Sequence, residues 1–124
     1  MRESFLILAA LFSAFGFYAH TVRGRRLIVK PMLETNLHHV PKHTLRFAWD
    51  WGSVTMAILT ISYLAPVWRA DFLPLAMLAT LYSYALGAVS FLAMRREGFR
   101  VVQMPQWIVF WAASLSGLIA WGVL

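Results

Sequence analysis

His20–Asp50, HTVRGRRLIVKPMLETNLHHVPKHTLRFAWD, is the only long polar passage of the chain. It holds all four histidines and six of the eleven Lys and Arg residues. On either side the sequence is apolar over lengths that match the roughly 30 Å hydrocarbon core of a bilayer. The passage therefore reads as a connector between two membrane helices, with residues 23–46 as its body.

Composition points to the same solvent. Hydrophobic residues make up 60% of the 124 and charged residues 13%, against roughly 45–50% and about 25% in soluble domains. A chain of this length forms one domain. It has no cysteine, which excludes disulfides, thiolate metal sites, iron–sulfur clusters and cysteine nucleophiles. The net charge of +6 reads as a topology signal set against anionic headgroups, and not as a footprint for nucleic acid.

Four spans are expected, making an all-α integral membrane protein, a four-transmembrane-helix bundle. The first covers about 4–22, where FLILAALFSAFGFYA carries no charge. It reads as a retained helix, because the opening Met1-Arg2-Glu3-Ser4 lacks a positive n-region and no small-x-small cleavage site precedes His20. The second covers about 47–67, with Trp49 and Trp51 at one interface, Tyr63 and Trp68 at the other, and Pro66 at its end. A tight turn leads to the third, about 72–94, whose Pro74 suits a first helical turn. Ala79, Ser83, Gly87 and Ser90 form a small-residue stripe there that predicts close helix packing. A basic loop, Arg95 to Arg100 with Gly98 as its turn residue, leads to the fourth, about 104–124. That span carries Ala113 and Gly117 at small-x-x-x-small spacing between Trp107 and Trp121.

Nine Lys and Arg residues fall in the first and third loops, against Arg2 and Arg69 on the opposite side. The positive-inside rule then predicts a bacterial inner (plasma) membrane protein with both termini periplasmic. Arg23, Arg25, Arg26 and Lys30 follow the first helix directly and are the expected anionic-headgroup contacts, worth about 1 kcal/mol each. Leu27, Ile28, Met32 and Leu33 interleave with them, which predicts a short amphipathic helix near Pro31 lying in the interface.

Two sets of residues are candidates for chemistry. Asp50 stands one turn inside the second helix, where Arg46, four residues earlier, is its expected ion-pair partner. An ionisable group at membrane depth is also a candidate for proton or cation handling, with Ser53 and Thr55 extending a polar path and His20 facing it from the first helix. His38, His39 and His43 are the candidate metal ligands, with His20 or Glu34 completing the set. Pro41 between them predicts a broken helix there, which weakens the four-residue spacing of His39 and His43. No histidine falls in the interior of a span, His20 standing at the end of the first, so no haem site and no cofactor are expected.

Ala19-His20-Thr21-Val22-Arg23-Gly24-Arg25-Arg26-Leu27, then Pro31-Met32-Leu33, and Leu45-Arg46-Phe47-Ala48-Trp49-Asp50 resemble a pattern in small, uncharacterised four-span bacterial inner-membrane proteins. The resemblance covers the first half of the chain. This sequence departs from the pattern in carrying Asp50 where those proteins carry a histidine, and the resemblance implies no activity.

There is no Gly-rich phosphate loop, no Ser-His-Asp arrangement and no pair of acids within a span, so no catalytic residue is expected. The first helix also lacks the acid of small multidrug transporters. The expected role is a structural or accessory subunit of a membrane complex, or a homo-oligomer. The alternative is a small proton- or ion-coupled transporter or channel using Asp50 and His20.

Overall fold

The computed structural model describes residues 1–122 and is all-helical, with no strand among the described residues. Helix α1 runs without a break over Arg2–Leu33. It is α-helical over Arg2–Tyr18, π-helical over Ala19–Val29 and α-helical again over Lys30–Leu33. Helix α2 spans His39–Trp68. A 3₁₀ turn, Ala70–Phe72, leads into α3, Leu73–Arg96, and α4 spans Gln106–Ala120. Each helix packs on two others, in the cyclic order α1, α2, α3, α4 and back to α1. Side-chain pairings fix the antiparallel sense: Gly24 meets Trp49, Thr80 meets Gly117, and Arg2 Nε donates to the Ala120 carbonyl at 3.2 Å. The last of these places a cation on the unsatisfied C-terminal carbonyls of α4, where the helix dipole favours it.

Small side chains set the spacing of the bundle. Ala79, Ser83 and Gly87 on α3 and Ala113, Gly117 and Ala120 on α4 are buried, as the stripe reading expects. A β-carbon on Gly117 would overlap the Thr80 side chain, and one on Gly87 would overlap the Trp111 ring. The backbones are as close as hydrogen side chains permit, the close approach that small residues provide between apolar helices. Tyr63 overturns its expected interfacial place: it is 0% exposed and its hydroxyl lies 3.3 Å from Ser83 Oγ. A phenol can sit in the core because its one polar atom finds a hydroxyl partner on the facing helix.

Three helices, α1, α2 and α3 with its entry turn, are long and apolar enough to cross a membrane. The fourth expected span, 104–124, is an apolar helix of 15 residues, about 22 Å long, and residues 123 and 124 lie outside the described part. The expected 23–46 connector is mostly helix. Only 34–38 leave the helical path, so the segment near Pro31 is the last turn of α1 and not a separate surface helix. Pro41 does not break α2 because it lies in the first turn, whose amides have no intrahelical partner to lose.

Candidate functional site

The first connector and its flanking spans meet at one junction between α1 and α2. His20 lies flat on Trp49, with ring centroids 3.9 Å apart and planes 8° from parallel. Its Nε2 is 2.9 Å from the Trp49 carbonyl oxygen. A carbonyl can only accept, so Nε2 carries the proton and donates. Two glycines make room. A β-carbon on Gly24 would stand 2.5 Å from Trp49 Cζ2, and one on Gly52 would stand 3.0 Å from His20 Nε2. One turn along, Thr21 Oγ1 donates to Ser53 Oγ at 3.4 Å.

The π-helical stretch aligns these residues. Its i→i+5 bonds widen the turn, as in Lys30 N–H donating to the Arg25 carbonyl. Residues that share a face then recur every four to five positions instead of every 3.6. His20, Gly24, Val29 and Leu33 follow that wider repeat, and Val29 is buried. An α-helix over the same residues would turn Val29 away from Gly24.

Asp50 does not pair with Arg46. Its Oδ1 accepts from Arg25 Nη2 at 3.1 Å, and both side chains are about half exposed, 51% and 50%. The same-helix spacing favoured Arg46, but the π stretch brings Arg25 across from the facing helix. Nor does His20 reach Asp50; its proton goes to the adjacent backbone carbonyl. Arg23, Arg25, Arg26 and Lys30 are all exposed. Arg25, Lys30 and Arg46 border a shallow hollow of ≈ 230 Å³ with Glu34.

The other histidines lie at the start of α2. His38 caps the helix, its Nδ1 accepting from Val40 N–H at 3.4 Å. His39 and His43 face each other with ring centroids 4.3 Å apart, the arrangement that an unbroken first turn allows. Among the described residues no three His, Asp or Glu side chains gather as a metal-ligand set, so His38, His39 and His43 do not converge on one point.

A second feature adjoins the junction and is not legible along the chain. A cavity of ≈ 340 Å³ opens between α2, α3 and α4, with His20 at one wall. Thr55, Tyr82, Ser90 and Gln106 bring polar groups to it, and Trp49, Trp51 and Phe110 bring rings. None of its lining residues is Lys, Arg, Asp or Glu. Two polar atoms on lining residues are buried without a hydrogen-bond partner in the protein, Trp49 Nε1 and Gln106 Oε1. The sequence signal was faint: a glutamine opening an apolar helix and a serine at the end of a small-residue stripe, on different helices.

No protein-family model, curated protein or solved structure matches this chain, and the site rests on its own geometry.

Proposed function

We propose that the protein is a small accessory subunit of the bacterial plasma membrane. Its four helices all engage the bilayer, and its first hairpin docks onto a second membrane protein or another copy of itself. One observation carries this reading. Helices of 30 residues or more run about 45 Å, roughly 15 Å longer than the hydrocarbon core. α1 and α2 both reach that length, whereas α3 ends at Arg96, under two turns beyond Ser90, and α4 begins at Gln106, which lines the cavity with His20. The paired ends of α1 and α2 thus project beyond the other two helices. That projection exposes Leu27, Val40 and Leu45, each at half or more of its surface. Exposed apolar side chains beyond the hydrocarbon support a contact surface, and the basic residues between them set its distance from the headgroups. Nine cations at that end of the bundle support a cytoplasmic location for it, with the termini in the periplasm.

The absence of native cysteine makes the test direct. Single cysteines at Leu27, Val40 and Leu45 report copy-to-copy contact by disulfide formation in native membranes. A photo-crosslinker at the same positions reports a different partner. Adducts confined to these positions, and absent at lipid-facing Leu78, support the reading. A chain that forms no adduct and sediments as a monomer from gently solubilised membranes ends it.

The rival transport reading loses ground through Asp50. A proton carrier needs a carboxylate shielded at membrane depth, and this one is half exposed and held by Arg25.

A further inference from the structure

We propose that the cavity beside His20 binds the ring of a membrane-soluble quinone or quinol, with the isoprenoid tail leaving sideways into lipid. The proposal is independent of whether the projecting hairpin docks on a partner. At ≈ 340 Å³ the cavity falls at the lower end of the range of small-ligand sites, roughly 300–1,000 Å³. Four considerations select its occupant.

The first is charge. With no Lys or Arg in the lining, nothing offsets the cost of bringing a phosphate out of water, and with no Asp or Glu no carboxylate pairs with a cation, so the lining favours a neutral ligand. The second is shape. Trp49, Trp51, Tyr82 and Phe110 surround the space, and flat aromatic walls favour a flat π-system, in offset-stacked or edge-to-face contact. The third is hydrogen bonding. Gln106 brings a side-chain amide, with both donor and acceptor atoms, to the lining. Ser90 and Thr55 hydroxyls, which both donate and accept, stand in the same lining. A quinone presents carbonyl oxygens to donors, and its reduced form presents hydroxyls to acceptors, so one ring in its two states uses both kinds of group.

The fourth is access. Trp51 and Tyr82, at 63% and 46% exposure, flank the cavity on the outer surface of α2 and α3. Ser90 stands under two turns from Arg96 at the basic end of α3, which puts the cavity near the boundary of headgroup and acyl chain. An amphiphile dissolved in the bilayer meets the opening there with its polar ring at the right depth, while a water-soluble molecule must cross the headgroups to reach it.

The test uses the full chain in detergent micelles, with decylubiquinone as the probe and intrinsic tryptophan fluorescence as the readout, since two of the six tryptophans line the cavity. Saturable quenching at near-stoichiometric probe is expected. Gln106→Leu and Thr55→Val each remove polar groups at nearly constant volume and should raise the half-saturating probe fraction by about three- to tenfold, the loss of one or two hydrogen bonds. Arg69→Ala, beside the α2–α3 turn at the other end of the bundle, should leave it unchanged. Unaltered helical circular dichroism identifies variants that fold, and either of the two suffices. Quenching that rises linearly, as for free indole in the same micelles, overturns the proposal, as does equal quenching in both folded variants. A neutral diacylglycerol that displaces the probe completely at equal mole fraction also overturns it, because the site would then recognise a hydroxyl and a tail without a ring.

Discussion

The His20 imidazole and the Trp49 indole form a two-point clamp: the rings stack at 3.9 Å while His20 Nε2 donates to the carbonyl of the same tryptophan at 2.9 Å. Each contact constrains the other, since the hydrogen bond fixes the imidazole at one edge and the stack fixes its plane. The clamp ties α1 to α2 near the level at which α4 begins.

Removing it separates its two parts. His20→Ala loses both stack and bond and should destabilise the protein by about 1–3 kcal/mol, from an aromatic pair of about 0.5–1.5 and a net hydrogen bond of similar size. His20→Phe keeps the stack and should recover roughly half. Reversible unfolding in mixed micelles titrated with a denaturing detergent measures both. A loss under about 0.5 kcal/mol for His20→Ala would show that the contact holds nothing.

The approach of α3 and α4 rests on Gly117 against Thr80. Because a β-carbon there overlaps Thr80 Oγ1, Gly117→Val should force the helices apart and cost about 2–3 kcal/mol, in the range of overpacked cores. Thr80→Ala also removes the bond from Thr80 Oγ1 to the Ala76 carbonyl, so alone it is mildly destabilising. Combined with Gly117→Val it should restore part of the loss, giving a favourable coupling of about 1 kcal/mol or more. Additive effects would place the close contact elsewhere.

Asp50 and Arg25 make an ion pair with half-exposed side chains. Solvent screens such a pair, so Asp50→Asn should change stability by less than about 1 kcal/mol. Its partner can be identified separately. A double-mutant cycle should find measurable coupling between Asp50 and Arg25 and none between Asp50 and Arg46. Coupling to Arg46 instead would restore the same-helix pair that the i, i+4 spacing favours.

The sequence carried the large features because each depends on composition or on repeats along one helix. The all-helical class follows from the apolar runs, and the α3 packing face follows from Ala79, Ser83 and Gly87, all buried. The errors came where structure depends on two helices at once. The stack of His20 on Trp49 is invisible along the chain because the two residues lie on different helices. Tyr63 reads as an interfacial belt residue until Ser83 is placed against its hydroxyl. The length of α1 was masked by an assumed 3.6-residue period: over Ala19–Val29 the facing residues recur at the wider π interval, and a polar, basic composition then resembles a loop. The cavity was least visible, since His20, Thr55, Ser90 and Gln106 sit on four helices and no spacing relates them.

Orientation yields to chemistry because the chain has no cysteine of its own. Thr35 lies in the turn between α1 and α2, and Ala70 in the turn between α2 and α3, at opposite ends of the bundle. Both are exposed. With nine Lys and Arg residues at the Thr35 end and two at the other, the positive-inside rule places Thr35 in the cytoplasm. A membrane-impermeant maleimide applied to intact spheroplasts should therefore label Ala70→Cys and spare Thr35→Cys, and permeabilisation should expose the second site. Replacing Arg23, Arg25, Arg26 and Lys30 together with glutamine leaves five cations on that side, still the majority, so the pattern should persist. Adding Arg95, Arg96 and Arg100 to that set leaves only Lys42 and Arg46 against Arg2 and Arg69, and labelling at Thr35 should then rise as a second orientation is populated. Unchanged labelling in the sevenfold variant would mean that something other than the loop cations, such as the length of the α1–α2 projection, sets the direction of insertion.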